Sequence, residues 1–147
     1  MKCVIQRVNR ASVSVDGKIC GSINKGILVF LGVSDDDTDK DLKWLADKII
    51  GLRIFEDENE KMNFSLQDID GELLIISQFT LFGNCKKGRR PDFTSAGKPE
   101  FAKCMYEKFV DYCSSFIKRT ESGIFGADMK VDLENDGPVT LIIDSKE

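Results

Sequence analysis

The sequence predicts a single α+β domain over residues 1–147, and three observations lead to this prediction. Short runs that alternate apolar and polar residues occupy the first third of the chain and its C-terminal end, a period typical of strands. Two longer segments repeat apolar residues every three to four positions, which indicates two amphipathic helices. No linker, internal repeat or low-complexity tract divides the chain. We therefore expect antiparallel sheets packed with two main helices.

The first third of the chain contains four predicted strands. They cover residues 4–8, 11–15, 18–23 and 27–33. Asp16-Gly17 is predicted to be a two-residue hairpin turn, because both residue types tolerate the backbone angles of such turns. Residues 24–26 form a longer turn. These segments predict an antiparallel meander.

The first helix is predicted to follow Asp35, Asp36, Asp37 and Thr38, whose oxygens suit the cap and first turn of a helix. Its apolar positions follow the helical period and are Leu42, Leu45, Ala46, Ile49 and Ile50. We expect the helix to end at Gly51. A metal site built on the three aspartates is an alternative, but helix capping explains them more simply.

The middle of the chain is predicted to hold two strands, a long loop and the second helix. Residues 53–55 form a short strand before a polar loop over residues 56–63, and Asp70-Gly71 is a turn into a strand over residues 72–81. The loop over residues 82–99 is long for a compact domain, which favours a functional role. The helix is predicted to begin at Pro99 and to bury Phe101, Met105, Phe109, Tyr112 and Phe116.

The C-terminal end is predicted to be a hairpin. Two strands, over residues 128–133 and 138–143, are separated by the turn signal Glu134-Asn135-Asp136-Gly137.

Composition restricts the class of protein. Residues are 41% hydrophobic and 31% charged, as in globular proteins, and no apolar run approaches the ~20 residues of a spanning helix. The N-terminus lacks the apolar core of a secretory signal. Five cysteines without a C-x-x-C spacing argue against a disulfide framework and a zinc site. We expect a cytosolic protein with reduced thiols and no cofactor.

The chain contains no histidine. This absence excludes Ser-His and Cys-His nucleophile pairs, a histidine base and metal sites with histidine ligands. The net charge of −4 provides no global positive field to attract nucleic acid, so any contact with RNA must be local.

The first candidate site is Ser77-Gln78-Phe79-Thr80, which follows the apolar run Leu73-Leu74-Ile75-Ile76. A polar segment after a fully buried strand lies at the rim of a sheet, where hydroxyl and backbone N–H groups can face a ligand. A strand end whose hydroxyls close local hydrogen bonds is the alternative. No base is identifiable beside Thr80, so orientation is the better role for its hydroxyl.

Three further segments are candidates, each with a simpler structural explanation. Gly137-Pro138 forms either a rigid cis turn that presents carbonyls or an ordinary hairpin turn. Phe125 and Met129, among small residues, form either an apolar shelf for an adenine ring or part of the core. Four cations in the long loop suit either phosphate contacts or a solvated surface, and they are Lys86, Lys87, Arg89 and Arg90.

These segments together resemble the D-aminoacyl-tRNA deacylase family over almost the whole chain. The match rests on Ser77-Gln78-Phe79-Thr80-Leu81 together with Asn135-Asp136-Gly137-Pro138-Val139-Thr140. Supporting segments are Arg7-Val8, Ala11-Ser12-Val13, residues 52–55, Met62-Asn63, residues 88–91 and residues 126–129.

The resemblance implies a barrel-like core and a homodimer with active sites at the subunit interface. It implies that each pocket is built around Ser77, Gln78, Phe79 and Thr80 as catalytic residues, and that Gly137-Pro138 of the partner inserts as a chiral filter. Phe125, Ala127 and Met129 are assigned to substrate binding, with Phe79 beside the terminal adenosine. The family's substrate is aminoacyl-tRNA, and D-amino acids and glycine are removed.

The resemblance also permits a mechanism without histidine. An aminoacyl ester is already activated by its ribose, so its hydrolysis needs positioning and a stabilised oxyanion more than a strong base. We expect main-chain N–H groups near Phe79 and Thr80 to bind the oxyanion and the ribose 2′-hydroxyl to assist the water. Carbonyls of Gly137 and Pro138 would bind the substrate ammonium, and an L side chain would then collide with the turn.

Overall fold

The computed structural model describes all 147 residues. The elements are β1 (Lys2–Val15), β2 (Lys18–Ile23), β3 (Gly26–Gly32), α1 (Asp39–Gly51), β4 (Phe55–Glu56), β5 (Met62–Phe64), β6 (Glu72–Ser77), α2 (Pro99–Ser114), β7 (Thr120–Ser122) and β8 (Lys130–Asp144). A short 3-10 turn, Phe79–Phe82, follows β6. The predicted α+β class with two main helices is confirmed.

The main sheet is organised around β1. Along one edge, β1 pairs with β3 through its first half and with β2 through its second half, and along the other edge it pairs with β8. The strand order is β2-β1-β3-β6-β7. The pairs β3–β6 and β6–β7 are parallel, so the sheet is mixed rather than purely antiparallel.

The sheet curls until its two end strands, β2 and β7, lie close together, which gives the barrel-like core implied by the resemblance. Arg119 Nη2 donates to the carbonyl of Ser22 at 2.8 Å, across the gap between β7 and β2. A Cβ added to Gly21 would lie 2.9 Å from the carbonyl oxygen of Ser122, so glycine permits this close approach.

Two predicted hairpin arrangements are wrong. β3 pairs with β1 and not with β2, and residues 4–15 form one continuous strand, so the predicted meander does not form. β8 is also continuous and pairs with β1 on both sides of residues 136–139, so residues 134–137 do not join a hairpin. The register of β8 against β1 shifts on both sides of Val8, and such bulges use the same turn-forming residues as a hairpin.

Smaller boundaries also differ from the prediction. The predicted strand over residues 72–81 ends at Ser77, because the chain then enters the 3-10 turn. The strand predicted at residues 53–55 is reduced to β4, which pairs with β5 inside the predicted polar loop. The short strand β7 was not predicted.

The helices pack against one face of the sheet. In α1 all five predicted apolar positions are buried, and Thr38 caps the helix with Asp41. α2 begins at Pro99 as predicted, but its buried side is Ala102, Met105, Tyr106, Phe109 and Cys113. Phe101 and Phe116, predicted to be buried, are 36% and 47% exposed. Neither helix has the length and apolar composition that a membrane crossing demands.

Candidate functional site

A cleft of about 710 Å³ opens at the carboxyl end of β6. Three segments form its walls: residues 76–79, residues 93–99 and residues 125–131. Leu31, Val33, Ala102 and Tyr106 complete its lining, which is mostly apolar. Its size and character are those of sites that enclose small ligands.

The first wall is formed where the chain leaves the centre of the sheet. Leu73, Leu74, Ile75 and Ile76 are buried, as predicted, because β6 lies between β3 and β7. The backbone N–H of Gln78 still bonds to the carbonyl of Leu31 at 2.8 Å, after which the 3-10 turn begins. This exit from the sheet places polar side chains at the rim of the cleft.

The four predicted catalytic residues lie together at this rim. Ser77, Gln78 and Phe79 line the cleft, and the ring of Phe79 is 58% exposed. Thr80 is one position beyond the lining, and its hydroxyl oxygen accepts a hydrogen bond from Nε2 of Gln78. The Gln78 amide therefore fixes the orientation of the Thr80 hydroxyl.

The predicted substrate-binding residues Phe125, Ala127 and Met129 line a second wall. The ring of Phe125 packs against Tyr106 with centroids 5.9 Å apart. Gly123 allows Met129 to pack closely, since a Cβ at Gly123 would lie 2.5 Å from the Met129 sulfur. The structure thus brings two separately predicted segments to one cleft.

Tyr106 supports the floor of the cleft and was not predicted. Its hydroxyl donates to the carbonyl of Ile75 at 2.7 Å, and burial raises the pKa of Tyr106 to about 12. It therefore remains neutral and couples α2 to β6. The signal in the sequence was its spacing of four residues from Ala102, on the helix face that the aromatic pattern obscured.

The third wall, residues 93–99, crosses the end of β3. The backbone N–H of Gly97 bonds to the carbonyl of Val33, and that of Lys98 bonds to Oδ1 of Asp35, each at 2.8 Å. Phe93 packs edge-on against Phe79, with centroids 5.2 Å apart. No local sequence pattern indicates this wall, because its position depends on contacts with a strand distant in sequence.

A basic hairpin precedes this wall. Asn84 and Asp92 exchange two backbone hydrogen bonds, of 2.7 and 3.0 Å, and so close the loop between them. Lys86, Lys87, Arg89 and Arg90 are exposed on this loop, and none of them is in a salt bridge. They lie outside the lining of the cleft, next to Phe93 in the chain.

The structure does not bring Gly137-Pro138 to the cleft of the same chain. Both residues are exposed in β8, and the peptide bond between them is cis. Asn135 brackets this segment: its side-chain oxygen accepts from the N–H of Val139 at 2.8 Å, and its amide donates to the carbonyl of Val139 at 3.3 Å.

Arg7 holds the same segment from inside the protein. Its buried guanidinium donates to the carbonyl of Asp136 at 3.0 Å and to that of Ile54 at 2.6 Å. Carboxylates of Asp136 and Glu56 lie 3.4 and 3.7 Å from its nitrogens. The exposed turn, Gly137-Pro138 within β8, is therefore anchored to the loop before β4.

The three aspartates considered for a metal site have structural contacts. Asp35 accepts from Lys98, Asp36 accepts from the hydroxyl of Ser34, and Asp37 binds the α-ammonium of Met1 and the N–H of Ser34. The structure contains no group of three or more His, Cys, Asp or Glu side chains that could hold a metal ion.

Comparison with known proteins gives consistent matches over the full length. Residues 4–144 match the family described as D-Tyr-tRNA(Tyr) deacylase. The D-aminoacyl-tRNA deacylase of Fusobacterium nucleatum is 60% identical, over 100% of this chain and 97% of that protein. The D-aminoacyl-tRNA deacylase of Thermosipho africanus is 58% identical, over 100% and 99%.

Two solved structures have the same fold. The c-Myc DNA unwinding element binding protein superposes with a TM-score of 0.93 and 43% identity, over 98% of both chains. A probable eukaryotic D-amino acid tRNA deacylase superposes with a TM-score of 0.84 over 97% of both chains, and at 18% identity it supports the fold alone.

Proposed function

Because this chain belongs to the D-Tyr-tRNA(Tyr) deacylase family, we propose that its cleft hydrolyses the ester bond between a D-amino acid and the 3′ end of tRNA. The products are free tRNA and the D-amino acid. One observation carries the assignment to this cleft: Ser77, Gln78 and Phe79 line it together with Phe125, Ala127 and Met129. These are the segments in which the sequence resembles the family. A tRNA substrate also supports the cytosolic location expected from the sequence.

The apolar wall is proposed to bind the terminal adenosine. Phe125 and Met129 offer flat and polarisable surfaces, and the exposed Phe79 also lines the cleft. Nucleobases stack on such side chains without the need for base-specific hydrogen bonds. The aminoacyl ester would then lie at the rim formed by residues 77–80.

The chemistry proposed for this rim depends on positioning. Main-chain N–H groups of Phe79 and Thr80 would stabilise the oxyanion, and the Thr80 hydroxyl, oriented by Gln78, would help to place the attacking water. The adjacent ribose 2′-hydroxyl would assist in activating this water. This mechanism suits a protein without histidine.

The chiral filter is proposed to come from a second copy of the chain. Gly137 and Pro138 lie outside the cleft of their own chain, are exposed, and are held by Arg7 and Asn135. An anchored turn on the surface is suited to insertion into a partner's cleft. Its carbonyls would bind the substrate ammonium, exclude L side chains by steric collision, and admit glycine and D-residues.

The outer edge of β8 supports this homodimer. β8 pairs with β1 only, so its other edge has no strand partner. Ile142 is 74% exposed, and the register places it beside Val4, which in turn pairs with Phe30. An unpaired edge with an apolar row beside it is a surface that a second chain can cover.

The first experiment compares the hydrolysis of D-Tyr-tRNA, L-Tyr-tRNA and Gly-tRNA by the purified protein. We expect rapid loss of the ester from the D- and glycyl-tRNAs and a background rate for L-Tyr-tRNA. Equal background rates for all three substrates would contradict the proposed function.

Thr80→Val, which keeps the shape of the side chain and removes its hydroxyl, should lower kcat more than it raises KM.

The basic hairpin suggests a second candidate function, binding of DNA. The structure at 43% identity is that of a DNA unwinding element binding protein, and the four cations of the hairpin have no ion partner. Replacing Arg89 and Arg90 by Gln should weaken binding of tRNA and flatten its salt dependence. Tight binding of DNA in a protein that does not deacylate D-Tyr-tRNA would favour this second function.

A further inference from the structure

One cationic residue in the lining of the cleft has no role in the proposed deacylation mechanism. Lys98 and Asp128 are the charged residues of its lining. Asp128 is paired with Lys130 at 3.1 Å, whereas Lys98 is not in a salt bridge. An ammonium group beside an apolar wall, without a carboxylate partner, attracts an anionic ligand more strongly than one that is already paired.

The backbone of Lys98 is fixed in place. Its N–H donates to Oδ1 of Asp35, the neighbouring Gly97 bonds to Val33, and Pro99 begins α2. Only the side chain is therefore free to move. A lysine has three donors on a flexible stem, so it can follow a phosphate whose exact position varies.

Lys98 also continues a run of cations that leads out of the cleft. The segment that contains the basic hairpin passes through Phe93, which packs on Phe79, and reaches the cleft wall at Lys98. Five cations without ion partners thus lie on one segment of a protein whose net charge is −4: Lys86, Lys87, Arg89, Arg90 and Lys98.

We propose that Lys98 binds the phosphate on the 5′ side of the terminal adenosine and thereby selects esters attached to a polynucleotide over free aminoacyl nucleosides. The inference rests on the proposed function of the cleft. The ester and the adenine occupy the apolar part of the cleft, and the 5′-phosphate is the nearest anion of the substrate. The basic hairpin then lies on the path of the phosphates of the nucleotides further toward the 5′ end.

Three D-tyrosyl esters test this inference: the ester of full tRNA, the ester of 5′-AMP, and the ester of adenosine, which lacks the phosphate. Lys98→Gln should lower kcat/KM for tRNA and for the AMP ester about tenfold, chiefly through KM, because it removes a charge-assisted contact. It should leave the adenosine ester unchanged. The slope of log kcat/KM against log salt for tRNA should become shallower by about 0.7, the value for one phosphate of a single strand.

Two further variants serve as controls. Lys98→Arg keeps the charge and should retain the preference of the enzyme for the AMP ester over the adenosine ester. Lys103→Gln removes an exposed cation of α2, the helix that follows Lys98, and Lys103 does not line the cleft. This variant should leave kcat/KM unchanged for all three esters.

The outcomes separate this inference from the proposed function. Equal losses on all three esters, or no loss on any, would overturn the role of Lys98 while leaving the deacylase intact. Equilibrium binding of AMP and adenosine gives a second measurement that needs no hydrolysis. If the wild-type protein hydrolyses no D-ester but Lys98→Gln still abolishes a preference for AMP over adenosine, the phosphate site stands and the proposed function fails. If the wild-type protein shows no preference for AMP over adenosine, the proposed phosphate site is wrong.

Discussion

Arg7 and Gly137 show how single residues shape the surface turn of β8. The Arg7 guanidinium is buried among carbonyl and carboxylate oxygens, so its charge is compensated inside the protein. Gly137 has a φ of +131° and lies against this guanidinium. An L side chain at this position is strained by the backbone and also has no space.

Gly137→Ala is therefore expected to damage the turn. The new Cβ would lie 2.9 Å from Cγ2 of Val139 and 3.0 Å from Nη2 of Arg7. Backbone strain alone should lower the free energy of unfolding by about 1–3 kcal/mol, and D-Tyr-tRNA deacylation should fall. Gly17→Ala is the matched control, since Gly17 also has a positive φ, +76°, but open space around it. Deacylation assays should show loss of activity in Gly137→Ala only. Urea unfolding measures the loss of stability.

The sequence predicted some site residues and not others, for a physical reason. The motif residues Ser77, Gln78 and Phe79 lie at the end of a buried strand, and this local pattern sufficed to place them at a sheet rim. Tyr106 and Lys98 reach the same cleft through packing between α2, β6 and β3, and no local pattern encodes such contacts. The roles of the motif residues remain predictions until variants are assayed.

At the scale of the element, the sequence predicted that α1 is capped near Thr38 but did not predict the residue that completes the cap. Thr38 is the cap, and Asp41 closes the capping box from inside the first turn. Asp41 also accepts hydrogen bonds from Ser145 and Lys146, which follow β8. The start of α1 is thereby joined to the end of β8, a contact that the helical period could not reveal.

Asp41→Asn should destabilise the protein in a manner that depends on pH. Burial opposes ionisation of Asp41, but hydrogen bonds from Thr38, Lys146 and Ser145 outweigh it and lower the pKa of this carboxyl. Its contribution is present above the unfolded pKa of about 4 and is lost as pH falls further. We expect a loss of about 1 kcal/mol at pH 7. Urea unfolding at pH 7 and pH 3 should show that the difference from wild type narrows in acid, whereas Asp39→Asn should show a smaller effect.

The predicted C-terminal hairpin failed because the chemistry of turns and bulges is shared. Asp136, Gly137 and Pro138 are typical of tight turns, and a strand that shifts its register uses the same residues. The choice between a hairpin and a continuous strand with a bulge depends on whether β1 offers a free edge to β8. β1 offers such an edge along its whole length. That is a property of the sheet and not of the segment.

At the scale of the whole molecule, the five cysteines divide into two classes. Cys20, Cys85 and Cys104 are exposed, and Cys3 and Cys113 are buried. Burial raises the pKa of both buried thiols to about 12. The folded state therefore favours the neutral thiols of Cys3 and Cys113. Their contribution to the free energy of unfolding is present below pH 9 and is lost as pH rises toward 12.

Titration with a thiol-reactive disulfide reagent at pH 8 tests this division. We expect the native protein to react rapidly at the three exposed cysteines and the unfolded protein to react at all five. Cys3→Ala or Cys113→Ala should leave the native count unchanged and lower the unfolded count by one. Rapid reaction of every thiol in the native protein would contradict the packing described for β1 and α2.

The proposed dimer makes a separate prediction at this scale. Ile142→Lys places a charge on the exposed side of β8, beside the unpaired edge. It should shift the sedimentation equilibrium from dimer to monomer and reduce deacylation, because the filter would come from the other chain. Ile19→Lys is the control, since Ile19 is 69% exposed on β2. A monomeric wild-type protein with full activity would refute the shared site.

The pairing of β1 with β8 has a consequence for how the chain acquires its structure in the cell. β1 can pair with β2 and β3 as soon as these neighbouring strands are synthesised, but its other edge stays open until β8 is synthesised. Such high contact order slows folding. The nascent chain therefore carries an unprotected strand edge until β8 is synthesised, and chaperones that shield such edges should raise its yield.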